Sequence, residues 1–249
     1  MALLTVQRAD NPKPRTEVMT KLRPRARLLG LAAACAVFPV YAYWRPRMMS
    51  LGATDAETTC TFPGDELVPD PSEGATMATT LPAPPEKVWP WLVQMGGGRG
   101  GWYSWDWVDN GGVPSADRIE PDWQDLEVGQ HLSRPPKGPT NWWTVVIVEP
   151  NRSLVLQTSY DMFGQSFDPR TGAVPWASTN GTWGFYLQKA PEGRTRLVVR
   201  TRSFSRPSLL TRPLSWLVGE PVHLIMQTRQ FHNLSARVAP AAVQAGGAS

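Results

Sequence analysis

Residues 83–124, APPEKVWPWLVQMGGGRGGWYSWDWVDNGGVPSADRIEPDWQ, hold six of the chain's twelve tryptophans and a run of closely spaced glycines. Pro84-Pro85-Glu86 marks a helix start: a proline in the first turn loses no hydrogen bond, and an acid there faces the positive end of the helix dipole. Val88, Trp91, Leu92 and Met95 follow at spacings that put them on one helical face. Gly96, Gly97 and Gly98 end that helix at little steric cost. Trp102, Tyr103, Trp105, Asp106 and Trp107 then open a second short helical segment, which Asn110-Gly111-Gly112 closes. A helix, a glycine hinge and an aromatic helix make a poor core and a serviceable wall around a cavity, since tryptophan brings a large rigid apolar surface and one N–H donor.

On the C-terminal side the pattern becomes that of strands. Leu126 to Gly129 lead into a short strand near His131. Trp142–Glu149 and Ser153–Ser159 flank the turn signal Pro150-Asn151. Asn180–Gln188 and Thr195–Ser203 repeat the arrangement around Pro191-Glu192-Gly193. In the last run Arg196, Val198, Arg200 and Arg202 alternate with Leu197, Val199 and Thr201, which predicts one solvated and one buried face. Gly219-Glu220-Pro221 is a second helix start. After it Val222, Leu224, Ile225, Met226, Phe231, Leu234 and Val238 form a broad apolar stripe.

On the N-terminal side the charge is uneven. Residues 1–47 carry nine Lys or Arg against Asp10 and Glu17, a net of +7, whereas residues 48–249 sum to −3. The main domain therefore lacks the basic face that nucleic-acid binding needs. Residues 28–44, LLGLAAACAVFPVYAYW, are free of charge, and their seventeen residues would make a helix of roughly 25 Å, the short limit for a membrane span. A single-pass anchor with the basic arm inside and the domain outside fits the segment. So does a cleaved secretory signal ending near Val40-Tyr41-Ala42. A lipoprotein signal ending at Cys35 and a buried helix are the remaining alternatives. Cys35 and Cys60 form no disulfide framework and no zinc spacing. Residues 45–75, rich in turn residues, read as a linker arm, with a first strand at Thr76–Leu81. The resulting division is a basic arm (1–27), an apolar segment (28–44), the linker (45–75), a ligand-binding domain (76–238) and a tail (239–249).

The order strand, helix, helix, several hairpin-joined strands and a long helix predicts an α+β fold: an antiparallel sheet closed by the last helix. With this order, LGATD (51–55), PGDELVPDP (63–71), PPEKVWPWLVQMG (84–96), GRGGWYSWDW (98–107), ADRI (116–119), DWQ with LEVG (122–129) and LIMQTR (224–229) resemble the START-like group. That group is the SRPBCC, or polyketide cyclase and lipid-transport, superfamily, and the likeness is sharpest to its actinobacterial members. The resemblance spans about residues 51–238. It implies a helix-grip fold with a deep apolar cavity between the sheet and the last helix, in a group of lipid carriers, hormone and metabolite binders, aromatases, cyclases and co-chaperones. The expected use here is binding of an apolar or amphipathic small molecule, with a cyclase or aromatase-type enzyme and a membrane-surface interaction module as the alternatives. Asn110-Gly111-Gly112 and the long stretch from Asp161 to Thr179 depart from the group's pattern and bear on the cavity's shape.

Candidate residues follow from the same stretch. Gly96 to Gly101 match G-x-G-x-x-G, but that fingerprint works after a strand and before a helix, and here a helix comes first. No dinucleotide, other cofactor or metal is expected. Arg99, Asp106, Asp117 and Arg118 are two opposite-charge sets that either orient a ligand or pair with each other to pin the hinge, with Arg118 the one expected to point inward. His223, early on the last helix, is a candidate acid or base. His131 and His232 are scattered, and no G-x-S-x-G occurs. Trp102, Tyr103, Trp105, Trp143, Trp183, Tyr186 and Met226 are either cavity wall or core. Alternation puts Trp183 with Phe185 on one face and Tyr186 on the other, without saying which is inward. The expected partners are a hydrophobic small molecule or lipid, and a membrane through the N-terminal segment.

Overall fold

The structure is a computed structural model that describes residues 39–133, 142–169 and 174–240. The chain divides into Met1–Arg45 and Pro46–Ser249. Of the apolar segment, residues 28–38 lie outside the described residues, as do the basic arm and residues 241–249 of the tail. Residues 39–49 form helix α1. No helix among the described residues is long and apolar enough to cross a membrane.

The larger unit is built on a six-stranded antiparallel sheet in the order β1-β6-β5-β4-β3-β2. The strands are β1 (Glu73–Leu81), β2 (His131–Ser133), β3 (Trp142–Glu149), β4 (Ser153–Asp161), β5 (Ser178–Ala190) and β6 (Arg194–Arg206). Both hairpin signals hold. Asn151 and Glu192 take positive φ at the two turns, β3 to β4 and β5 to β6. Helix α3 (Pro85–Val93) begins with Pro85 in its first turn, and α4 (Asp106–Asp109) is a single turn ended at Asn110. At the C-terminus α5 (Ser208–Leu214) runs through a π-helical stretch, Ser215–Gly219, into α6 (Glu220–Val238). The expected helix start at Gly219-Glu220-Pro221 is therefore an internal change of register. Pro221 has no N–H to donate, and a π turn is one way a continuous helix absorbs that loss. This is an α+β helix-grip arrangement, an antiparallel sheet with one long helix closing its concave face.

Residues 46–72 are folded rather than linking. Thr54 caps helix α2 (Asp55–Thr59) in a capping box with Glu57, and the stretch then straps the outer face of the sheet. Gly52 passes so close to edge strand β1 that a Cβ there would sit 2.2 Å from the Ala78 carbonyl, and Ala78 N–H donates to Leu51. The β6 arginines, expected to face solvent, hold this strap. Arg196 donates to both Glu57 carboxylate oxygens at 2.8 and 2.7 Å, Arg200 pairs with buried Asp65 at 3.1 Å, and Arg202 donates to the Val68 and Pro69 carbonyls. Phe62 stacks on Tyr186, whose hydroxyl donates to the Pro63 carbonyl. Tyr186 is thus on the outer face, which puts Trp183 and Phe185 on the concave one.

Candidate functional site

The concave face changes character along its length. At one end Met77, Leu81, Leu154, Leu156, Phe185 and Leu197 are fully buried against Val88 and Leu92 of α3 and Leu234 of α6. At the other end the same rows continue as Ala75 on β1, Thr158 and Tyr160 on β4, Gly181 and Trp183 on β5, and Thr201 and Ser203 on β6. Ala75, Thr158, Gly181, Thr201 and Ser203 are too small to fill the space under the helix, and a cavity of about 470 Å³ remains. That lies inside the roughly 300–1,000 Å³ range of small-molecule sites. Its other walls are Met49, Trp102, Ser104 and Asp109, together with Ser215, Glu220, His223, Met226, Gln227 and Gln230 of the last helical run.

The aromatic bend reaches the cavity through Trp102, which stacks on Trp183 at 5.5 Å between centroids; Trp143 tilts against the same ring at 5.5 Å. Trp102 is placed by the last helix, because Gln230 Nε2 donates to the Trp102 carbonyl at 2.8 Å and Ser104 Oγ donates to the Met226 carbonyl at 3.1 Å. The Trp102 carbonyl can only accept, so the Gln230 amide is fixed with its Oε1 turned to Gln227, whose Nε2 donates to it at 2.9 Å. Gln227 Oε1 is the end of that chain. It is buried with no hydrogen-bond partner among the described residues, as are the indole Nε1 atoms of Trp102 and Trp183. Native proteins seldom leave such atoms unsatisfied, since each costs roughly 1–3 kcal/mol. All three belong to residues of the cavity wall.

Ionisable groups also meet here. Ser215 Oγ donates to the Glu73 carboxylate, tying the π-helical stretch to β1. His223 lies one turn beyond buried Glu220 and is enclosed by the protein even though a surface of it faces the cavity. Burial holds its imidazole below the ordinary value, and the nearby Glu220 charge opposes that only in part. Both the burial and the cavity setting favour the neutral imidazole, which carries one N–H and one bare nitrogen.

Of the candidate residues read from the sequence, Trp102, Trp143, Trp183, His223 and Met226 line the cavity. Five others lie elsewhere. Arg99 donates to the Trp123 carbonyl at 2.6 Å and the Val93 carbonyl at 3.3 Å, clamping the end of α3 to the turn at Pro121–Trp123. Tyr103 is fully buried in the core, where its hydroxyl accepts from Gln94 Nε2 at 2.9 Å, and burial pushes its phenol up. Trp105 is 38% exposed with the Arg229 guanidinium 5.0 Å above its ring. Asp106 accepts from Ser115 Oγ at 2.5 Å, closing the loop after α4. Arg118, expected to point inward, is 78% exposed at its side chain and pairs with Glu120. Nearby charges that close short loops look the same in sequence as charges that receive a ligand.

The glycine run has no phosphate cradle. Gly96 N–H donates to Gly101, Gly101 N–H and Arg99 N–H donate to Gly96, and Gly100 N–H donates to Gln94. A Cβ at Gly101 would lie 2.4 Å from Ser115 Oγ, so the run is a tight turn that seats the loop. Gln227, Gln230, Glu220 and Glu73 are wall residues that sequence reasoning missed. The available signal was two glutamines three apart, Gln227 and Gln230, within the apolar stripe of the last helix.

No family model matches this chain, and no curated protein does. Solved structures similar to it include a protein from Mesorhizobium loti, at 19% identity over 67% of this chain and 96% of that one, with a TM-score of 0.38. A hypothetical protein from Helicobacter pylori is 11% identical over 75% of this chain and 100% of that one, with a TM-score of 0.44. Ara h 8.0201 is 15% identical over 66% and 98%, with a TM-score of 0.36.

Proposed function

We propose that this domain binds a mainly apolar small molecule, with an oxygen-bearing polar end, in the cavity between the open end of the sheet and α6. The observation that carries this reading is the set of three buried polar atoms, two indole N–H donors and one amide oxygen, without partners among the described residues, on residues of a wall that also carries aromatic and small side chains. A carbonyl or hydroxyl oxygen would accept from the indoles, and a hydroxyl or N–H would donate to Gln227. Among the described residues the cationic side chains at the wall are Arg202, whose guanidinium is engaged by the strap, and neutral-leaning His223. Glu73, Asp109 and Glu220 are on the same wall, which therefore suits a neutral head better than a carboxylate or phosphate. A lipid-like molecule is one such ligand. Kinship with the actinobacterial branch of the START-like group belongs to the same reading, on the strength of the 84–129 motifs. So do anchoring of residues 28–44 in a membrane and a domain on its outer side.

The test is native mass spectrometry of the full chain after incubation with a lipid and metabolite extract, followed by quenching of tryptophan fluorescence with the retained compound. Retention of a neutral amphipathic molecule, weakened by Gln227→Leu and by Trp102→Phe with folding intact, supports the assignment. Failure of any small molecule to be retained ends it.

A cyclase or aromatase-type enzyme is the second reading, favoured by the neutral, enclosed His223 beside Glu220 in the same cavity. An imidazole held neutral is ready to take a proton, and a carboxylate one turn away stabilises the cation that forms. Recovery of the retained compound chemically changed, and unchanged from His223→Gln, selects this reading over the first.

A further inference from the structure

The helix that closes the cavity is inside out over its first half. From α5 to the start of α6 the side chains turned to the protein include Ser215, Glu220, His223 and Gln227. Those turned to solvent are Leu209 (88% exposed), Leu210 (73%), Leu214 (66%), Leu217 (71%), Val218 (51%) and Ile225 (57%). From residue 210 onward these fall at spacings of four, three and one and then seven, a single helical stripe. A helix on the surface of a soluble domain buries such a stripe. Beyond Ile225 the ordinary pattern returns: Thr228, Arg229 and His232 are exposed while Phe231, Leu234 and Val238 are buried. The inversion thus runs from α5 through the part of α6 that walls the cavity and stops there. Asp161, Ser178 and Arg206 are paired across β4, β5 and β6 at this end, and the β4–β5 connection adds exposed Met162, Phe163 and Trp176 there.

We infer that this face docks on the surface of an anionic lipid bilayer, with the α5 leucines in the interfacial layer. Charge selects this occupant. Of the six arginines in residues 193–219, Arg194, Arg196, Arg200 and Arg202 are paired with Glu192, Glu57 and Asp65, while Arg206 and Arg212, at the start of and within the apolar stretch, are exposed. An apolar stripe flanked by arginine is the pattern of a helix lying in a membrane interface, where each basic residue near the surface adds attraction to anionic lipid. A second copy fits less well. Twofold apposition of this face would bring Arg206 and Arg212 toward their mates, and Asp161 is the one acid among the residues named at this end, too few to offset both. Docking on a bilayer also gives the inversion a use. Val222 both lines the cavity and is 42% exposed, so the cavity's rim lies on the same face, and an apolar molecule could pass between bilayer and cavity without crossing water.

The test uses the full chain with Cys35→Ser and Cys60→Ser, labelled with an environment-sensitive fluorophore at Leu217→Cys or, as the reference, at His232→Cys. Vesicles of phosphatidylcholine mixed with phosphatidylglycerol should shift the Leu217 probe to the blue and expose it to quenching by brominated lipid, while the His232 probe stays aqueous. Arg206→Gln with Arg212→Gln should weaken that transfer roughly tenfold or more. A Leu217 probe that stays aqueous when the chain is bound to vesicles overturns the proposal, as does equal transfer of both probes. So does a Leu217 probe already buried without vesicles: dependence on protein concentration would assign the face to a second copy, and independence to another segment of this chain.

Discussion

The two ends of the concave face are made from the same strands and differ only in what those strands carry. At the packed end, large aliphatic and aromatic side chains from four strands meet α3 and the second half of α6, and no space is left. At the open end the rows step down to Ala75, Gly181, Thr201 and Ser203, and the helix above them turns polar residues inward. A sheet and a helix held apart by bulky residues at one end stay apart at the other, because neither can bend to close the gap without breaking its hydrogen-bonded ladder. The packed end sets the spacing and thereby keeps the cavity open. Stability and binding are accordingly separated along one axis of the molecule.

The sharpest way to break that separation is to mutate the same helix at its two ends. Leu234→Ala, fully buried at the packed end, should cost about 2–5 kcal/mol in urea unfolding. Met226→Ala, on the cavity wall, should cost under about 1 kcal/mol, since a side chain already facing space gives up few contacts, and should weaken ligand retention. Equal losses at both positions would mean that the open end is core.

Filling the cavity tests it from the other direction. Ser203→Leu extends the aliphatic row of β6 into the open end and should leave stability unchanged or raise it by roughly 0.5–2 kcal/mol, while abolishing ligand retention. A clear loss of stability would show that the space is already taken.

The outer strap gives a smaller, pH-dependent effect that should be indifferent to the cavity. The Arg196 hydrogen bonds are the chief cause holding the Glu57 carboxyl at about 2 against the ordinary 4.5. A depressed acid stabilises the fold above its unfolded pKa, and that contribution is lost as pH falls from about 4.5 through about 2. Unfolding free energies measured across this window should decline in the wild type and decline less in Arg196→Gln, with a difference of roughly 1 kcal/mol, the scale of an ion pair near solvent. Identical acid limbs would remove this pair from the account of the strap.

The smallest effects belong to the aromatic bend. Tyr103→Phe should cost about 0.5–1.5 kcal/mol through the lost hydroxyl partner of Gln94 and leave ligand retention intact. Trp105→Ala should lose roughly 0.5–1 kcal/mol of its contact with Arg229 and likewise spare retention. Weaker retention with either variant would extend the cavity wall along the bend.

Much of the fold was legible because it rests on local rules. The spacing of Val88, Trp91, Leu92 and Met95 located α3, and the turns at Pro150-Asn151 and Pro191 to Gly193 located the hairpins. Trp102 and Trp183 were visible as aromatic candidates without any indication that they stack on each other. The strap at residues 46–72 was illegible because it is held by arginine to backbone carbonyls and by one close glycine crossing, neither of which leaves a periodic pattern. Val222 and Ile225 misled for a related reason. Apolar spacing names a face but does not say whether protein or something else covers it.

The sequence by itself determined where the two hairpins turn, where α3 and most of the sheet strands lie, and that they assemble as sheet plus closing helix, since each follows from neighbouring residues and steric preference. Only the tertiary structure decided which tryptophans share a cavity, that Arg118 faces solvent, and that Gln227 ends a chain of amides at its wall. Those facts depend on strand register and on contacts between residues a hundred or more positions apart, such as Trp102 with Gln230. A register shift of one residue exchanges the two faces of a strand while leaving its sequence unchanged.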